Sequence, residues 1–391
     1  MTIEPSERVD RVGPSGIRRF FELAEEVDDL ISLGVGEPDF SAPWTARQAA
    51  IDSLERGKTS YTANRGKREL RAAIAADLAR YDLTYDPDDE IVVTTGVSEA
   101  LDLAHRALVD PGDTVAVVDP SYVSYVANAT FVGADVLRVP TRDDEFVLTR
   151  SSLEAAGAAD ADVLLMGYPN NPTGATMTRD QLEPVAAFAR EHDLTVFSDE
   201  IYAELTYGHD HVSIAALPGM RERTIVLNGF SKAFAMTGLR LGYAVGPPAA
   251  IDAMNRIHQY TMLSAPTTAQ YAAIEALDSC ADAVTEMRDQ YDRRRRVVLS
   301  RFDEMNIDCF RSSGAFYAFP ESPWDDCEAF AEALIEAEQV AMVPGTAFGP
   351  GGTDNLRVSY ATDMESLREA LDRVERFVEA FPTEEAFEAD R

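Results

Sequence analysis

Six short apolar runs, each closing on a polar or glycine-bearing turn, set the first limit on what this chain can fold into. They are EIVVTT, TVAVVD, DVLLMGYP, LTVFSDE, TIVLNGF and YAVG, spread between residues 90 and 246. Runs of this length, rich in valine and leucine, read as strands buried on both faces. Between them lie SEALDLAHRALV and RDQLEPVAAFAREH, whose apolar residues recur at helical spacing. Sheets buried on both sides need helices on both sides, and parallel neighbours need crossovers. The alternation over residues 45–285 therefore predicts an α/β domain with a mostly parallel sheet.

Beyond it the pattern changes. DAVTEMRDQYDRRRRVVLSRFDEM predicts one helix from about Asp282 to Met305, its run of four consecutive arginines a solvated face. GAFYAFP, VAMVPG and NLRVSYA follow as strands separated by helices, with a polar C-terminal helix, so residues 286–391 form a smaller α+β unit. Residues 1–44, ending in ISLGVGEPDFSAP, carry no sheet of their own and are expected to join it. A length of 391 residues fits more than one core.

The charge balance narrows the setting. There are 68 acidic against 35 basic residues, a net of −33, and the acids are spread along the chain. Such a surface repels nucleic acid and anionic membranes. It also repels itself unless salt screens it, which predicts a protein adapted to concentrated salt. No apolar stretch reaches the roughly 20 residues that span a bilayer, and MTIEPSERVDRVG has no export pattern, so a soluble cytoplasmic protein is expected. Cys280, Cys309 and Cys327 form neither a CxxC pair nor a disulfide framework. His209 and His211, in YGHDHVS, read as a solvated loop rather than a metal site; no metal is expected.

Only three lysines occur, Lys58, Lys67 and Lys232. Lys232 stands in NGFSKAFAMTGLRLGY. Lysine, unlike arginine, can lose its proton and attack a carbonyl carbon. Ser231 and Arg240 flank it, and both can bind phosphate, Arg240 as a fork. VTTGVSEAL ends a strand and starts a helix; the turn through Gly96, Val97 and Ser98 offers backbone N–H groups to an anion. It is not a P-loop, and GVGEPDF breaks the dinucleotide fingerprint at its third glycine. YPNNPTGA can project Asn171 into a cleft at a strand's carboxyl end, or be an ordinary turn. FSDEIY places Asp199 where burial demands a cationic partner such as a protonated ring nitrogen, or where it caps a helix. In LRVSY, Arg357 faces away from Leu356, Val358 and Tyr360.

SKAFAMTGLRLGY, with NNPTG and SDEIY upstream in that order, resembles the pyridoxal-phosphate-dependent aminotransferases of fold type I, class I/II. The likeness to prokaryotic and archaeal aspartate and aromatic amino acid aminotransferases runs from ISLGVGEPDF to NLRVSYA. It implies a seven-stranded, mostly parallel sheet between helices, plus a smaller α+β domain. It implies that Lys232 condenses with the cofactor aldehyde, Asp199 pairs with the pyridinium nitrogen, and Asn171 and Tyr202 bond the phenolic oxygen. Tyr122 would stack on the ring. Val97, Ser98, Ser231 and Arg240 would hold the phosphate, joined by Tyr61 from a neighbouring subunit, which implies a homodimer. Arg357 would grip the substrate α-carboxylate, helped by the Gly36 N–H. Two positions depart from the family: Gly229 where many relatives have a serine that reaches the phosphate, and Leu239 where many have tryptophan.

The reaction implied is ping-pong transfer of an amino group from an amino acid to a 2-oxo acid, such as 2-oxoglutarate, with Lys232 moving the Cα proton. The same constellation serves carbon–sulfur lyases and synthases. A cofactor-binding regulator would need a DNA-reading domain, and a nicotinamide dehydrogenase the missing fingerprint. Ser98 stands where some aspartate-specific relatives carry a lysine, so aspartate, aromatic and alanine-like donors stay open.

Overall fold

The computed structural model describes residues 4–17 and 29–390. Twelve strands occur among the described residues: β1 (Ile31–Ser32), β2 (Ile91–Thr94), β3 (Thr114–Asp119), β4 (Asp135–Pro140), β5 (Val163–Gly167), β6 (Thr195–Asp199), β7 (Thr224–Gly229), β8 (Gly242–Val245), β9 (Tyr317–Ala318), β10 (Val340–Ala341), β11 (Val343–Pro344) and β12 (Leu356–Ser359). Seven form one sheet in the order β2-β8-β7-β6-β5-β3-β4. β4, β3, β5, β6 and β7 pair in parallel, and β8 runs antiparallel to both its neighbours. The predicted α/β architecture is thus present. All six predicted runs are strands, and all are buried along almost their whole length because helices cover both faces.

β4 escaped the sequence reading. It is an edge strand of partly exposed residues, so it lacks the continuous apolar signature of its neighbours.

The C-terminal third carries a three-stranded antiparallel sheet, β11-β12-β9. A two-stranded parallel pair joins β1 to β10, Ile31 opposite Val340. Ile31 and Ser32 thus pair with the C-terminal third; residues 18–28 of the same N-terminal stretch lie outside the described residues. Leu33, Tyr202, Leu205 and Tyr207 share one apolar core with Phe316, Phe330, Leu367 and Phe377, which ties the large sheet's loops to the smaller sheets.

The long helix spans Ala281–Glu304. Its arginines are not all solvated. Arg294 is buried and forms a bidentate pair with Asp39, 2.8 Å at each oxygen, between the rings of Phe40 and Tyr291. This pairing fixes the 33–40 segment against the helix. No described helix is long and apolar enough to cross a membrane.

Candidate active site

The parallel strands β3, β5, β6 and β7 all end on one side of the sheet, where open α/β sheets receive ligands. Each end delivers a residue to one cavity of about 550 Å³. Tyr122 follows β3, Asn171 follows β5, Asp199 closes β6, and Ser231 and Lys232 follow β7. The helix Gly96–Leu108 follows β2 and brings Val97 and Ser98; Arg240 precedes β8. The smaller sheets close the opposite wall with Arg357 from β12 and Tyr317 from β9, and Gly36 enters from the segment after β1.

One half of the cavity is built for an anion. The Gly96 helix starts without a side-chain cap, leaving its first N–H groups to a ligand. Gly96 has φ +77°, and a Cβ there would stand 2.6 Å from Arg240 Nη2. A side chain would therefore displace the guanidinium from the helix start. Gly229, the departure noted in the sequence, has a steric reason: its Cβ would lie 2.9 Å from Gly242 Cα and 3.1 Å from the Val97 side chain. The close β7–β8 contact that brings Val97 near leaves no room for serine.

The other half carries opposite demands. The Asp199 carboxyl is buried, and burial pushes its pKa up to about 6, partly offset by hydrogen bonds from Tyr125 Oη at 2.8 Å and the Ile201 N–H at 3.1 Å. Asp199 thus closes a turn on Ile201 and does not cap a helix. Burial lowers the pKa of Lys232 to about 8, with Glu37 opposing the shift and Arg357 adding to it. Lys232 Nζ donates to the Gly36 carbonyl at 2.6 Å. Gly36 is therefore present at the cavity, its carbonyl accepting from Lys232.

Arg357 is buried, its guanidinium between Tyr317 and Phe348 at 4.6 and 4.8 Å. It donates to Asn171 Oδ1 at 2.9 Å and to the Gly34 carbonyl at 2.6 Å, while its Nε has no partner. An unpaired buried donor beside a cavity is an acceptor's site. Asn171 accepts from Arg357 and keeps its amide N–H groups as donors. These features suit pyridoxal phosphate: donors for a phosphate at one end, a buried carboxylate for a ring cation at the other, and a weakly basic amine between.

Tyr61 lies elsewhere. It is 78% exposed, on a loop outside this cavity. Among the cavity residues that the sequence did not single out are Tyr125 and Tyr317. Both sit within apolar stretches, where a tyrosine reads as packing. His211 also differs from expectation. It is not in a solvated loop: its Nε2 lies 2.9 Å from the buried carboxylate of Glu200, which Ser198 and Ser213 also bond. Among the described residues no cluster of three or more His, Cys, Asp or Glu is arranged to hold a metal.

Residues 28–374 match the family model of aminotransferase class I and II. The chain is 41% identical to the aspartate aminotransferase of Pyrococcus abyssi, over 95% of this chain and 97% of that one. It is 40% identical to aromatic-amino-acid aminotransferase 2 of Thermococcus litoralis, over 95% and 97%. The solved structure of Thermus thermophilus aspartate aminotransferase with maleate superposes with a TM-score of 0.91 at 38% identity, covering 96% of this chain and all of that one. The chain therefore belongs to the class I and II aminotransferases, pyridoxal-phosphate-dependent enzymes that move an amino group from an amino acid to a 2-oxo acid.

Proposed function

We propose that this cavity transaminates aspartate, aromatic or alanine-like amino acids against 2-oxoglutarate, with Lys232 as the proton carrier. The observation that carries the reading is Lys232 itself: the cavity's one lysine, with a pKa lowered to about 8, between Asp199, Arg240 and Arg357. When bound, pyridoxal phosphate supplies an aldehyde for the amino group and a ring that accepts the electrons left at Cα. Val97 and Ser98 N–H groups, Ser231 and Arg240 hold the phosphate. Asp199 holds the ring nitrogen protonated, Asn171 and Tyr202 bond the phenolic oxygen, and Tyr122 packs on the ring. Arg357 orients the α-carboxylate, and Lys232 Nζ takes the Cα proton from the amino acid, then returns one to Cα of the incoming 2-oxo acid. The Gly36 carbonyl stations the free amine beside that path.

Lys232→Ala and Lys232→Arg, loaded with pyridoxal phosphate, should each lose about a thousandfold or more in rate and lack the wild-type visible band. Near-normal turnover in either would overturn the assignment.

The smaller unit comprises residues 1–44 and 286–391, and the cofactor-binding unit residues 45–285; the β1–β10 pairing supports the first grouping. The working form is a homodimer in which Tyr61 reaches the neighbouring subunit's phosphate. Supporting this, Tyr61, Tyr260, Met262 and Leu263 are all exposed, and Asn64 and Thr267 hydrogen-bond the two segments that carry them together. The enzyme works in a salt-rich cytoplasm, a reading that rests on the net charge of −33.

A further inference from the structure

Two phenols face each other inside the cavity. Tyr202 Oη and Tyr317 Oη are 2.8 Å apart, and their rings meet nearly edge to face at 5.8 Å. Both side chains are buried, at 5% and 1% exposure. Tyr202 belongs to the turn after β6, Tyr317 to β9, so the bond crosses from the large sheet to the small one. Gly36 makes room for it: a Cβ there would stand 2.6 Å from Tyr317 Oη. The opposite use of the same ring is its face, which carries the Arg357 guanidinium 4.6 Å from the centroid.

Burial raises the proton affinity of both phenols, so both keep their protons at any working pH. The pair then has two protons. One makes the mutual bond, and the other leaves the pair.

We propose that Tyr317 is a positioning residue: its hydroxyl donates to Tyr202 and aims the Tyr202 proton at the cofactor's phenolic oxygen, while its ring face holds Arg357 flat for the substrate carboxylate. This rests on the assignment of Tyr202 to that oxygen. A hydroxyl that already accepts a hydrogen bond is a stronger donor, because the chained bonds polarise one another. A stronger donor stabilises the ionised phenolic oxygen and lowers the pH at which the bound cofactor gives up its proton. One side chain thus serves both the ring and the carboxylate clamp, through two different parts of itself.

The test is a pH titration of the visible absorption of enzyme loaded with pyridoxal phosphate, paired with the dissociation constant of 3-phenylpropionate, a carboxylate with no amino group to transfer. Tyr202→Phe should raise the titration midpoint. Tyr317→Phe should raise it by about half to one pH unit, the worth of one hydrogen bond. Because phenylalanine keeps the ring, its 3-phenylpropionate binding should stay within about twofold of wild type. Tyr317→Leu, which removes the ring as well, should weaken that binding about tenfold. In a Tyr202→Phe background, Tyr317→Phe should add no further shift. A Tyr317→Phe midpoint equal to wild type, with Tyr202→Phe shifted, overturns the proposal and leaves the Tyr202 assignment standing. An undiminished Tyr317→Phe shift in the double variant overturns it too, since Tyr317 would then act elsewhere. An unmoved Tyr202→Phe midpoint removes the assignment on which it rests.

Discussion

Asp199 holds a proton that an unfolded chain would release. Its pKa rises from the ordinary 3.8 to about 6 in the cofactor-free fold. Between those values the native state binds more protons than the unfolded one, so stability falls as pH rises through that window. Above it, the buried carboxylate is a standing cost. Asp199→Asn keeps the shape and removes the charge. At about pH 7.5 it should raise the stability of the cofactor-free protein by on the order of 1–2 kcal/mol, an advantage that vanishes toward pH 4. On the proposed pairing of Asp199 with the ring nitrogen, the same variant should bind pyridoxal phosphate more weakly. Calorimetry with and without cofactor checks both signs. Lys232 is the mirror case: its pKa falls from 10.5 to about 8, so its cost applies below about pH 8 and fades as pH climbs toward 10.5. These residues were readable in the sequence because lysine is scarce and Asp199 closes an apolar run. Tyr125 and Tyr317 were not, since a tyrosine's role is set by what its hydroxyl meets across the fold.

The Gly96 helix shows what a single element does for the site. It meets the cavity with bare N–H groups, and only because Gly96, Gly229 and Gly242 let it lie against β7, β8 and Arg240. Gly96→Ala combines a positive φ with a Cβ 2.6 Å from the Arg240 guanidinium. It should cost about 1–2 kcal/mol of fold stability and weaken pyridoxal phosphate binding at least tenfold, measured by titrating the cofactor into the apoprotein. Arg357→Leu should not produce this pattern, since Arg357 stands on the opposite wall of the cavity. At this scale the sequence was most legible where burial is complete. Strands covered on both faces announce themselves; β4, partly exposed on the sheet edge, alternates too weakly. The Ala281–Glu304 helix was found nearly to its ends, yet the burial of Arg294 depends on Asp39, some 255 positions away. His211 was misread for the same reason, its partner Glu200 being hidden by a turn.

Across the whole molecule, a net charge of −33 opposes compaction, and pairing two such bodies, as proposed, would add to the repulsion. Raising salt from 0.1 to 1 M shortens the screening length from about 10 to about 3 Å and removes most of that cost for exposed charges. The thermal midpoint should therefore climb across a potassium chloride series, and added pyridoxal phosphate should raise it further, since it binds the folded state. A flat or falling midpoint would show that the acidic surface is no adaptation to salt. Composition made this visible, but not how the site is assembled from distant segments. Arg357 reaches back 323 positions to the Gly34 carbonyl, and β1 waits for β10. A nascent chain emerging from the ribosome can therefore complete its seven-stranded sheet, with Lys232 in place, well before Arg357, proposed to grip the substrate, has been translated. Every copy of the enzyme passes through a stage of its synthesis in which the Lys232 amine exists and the pocket that buries it does not.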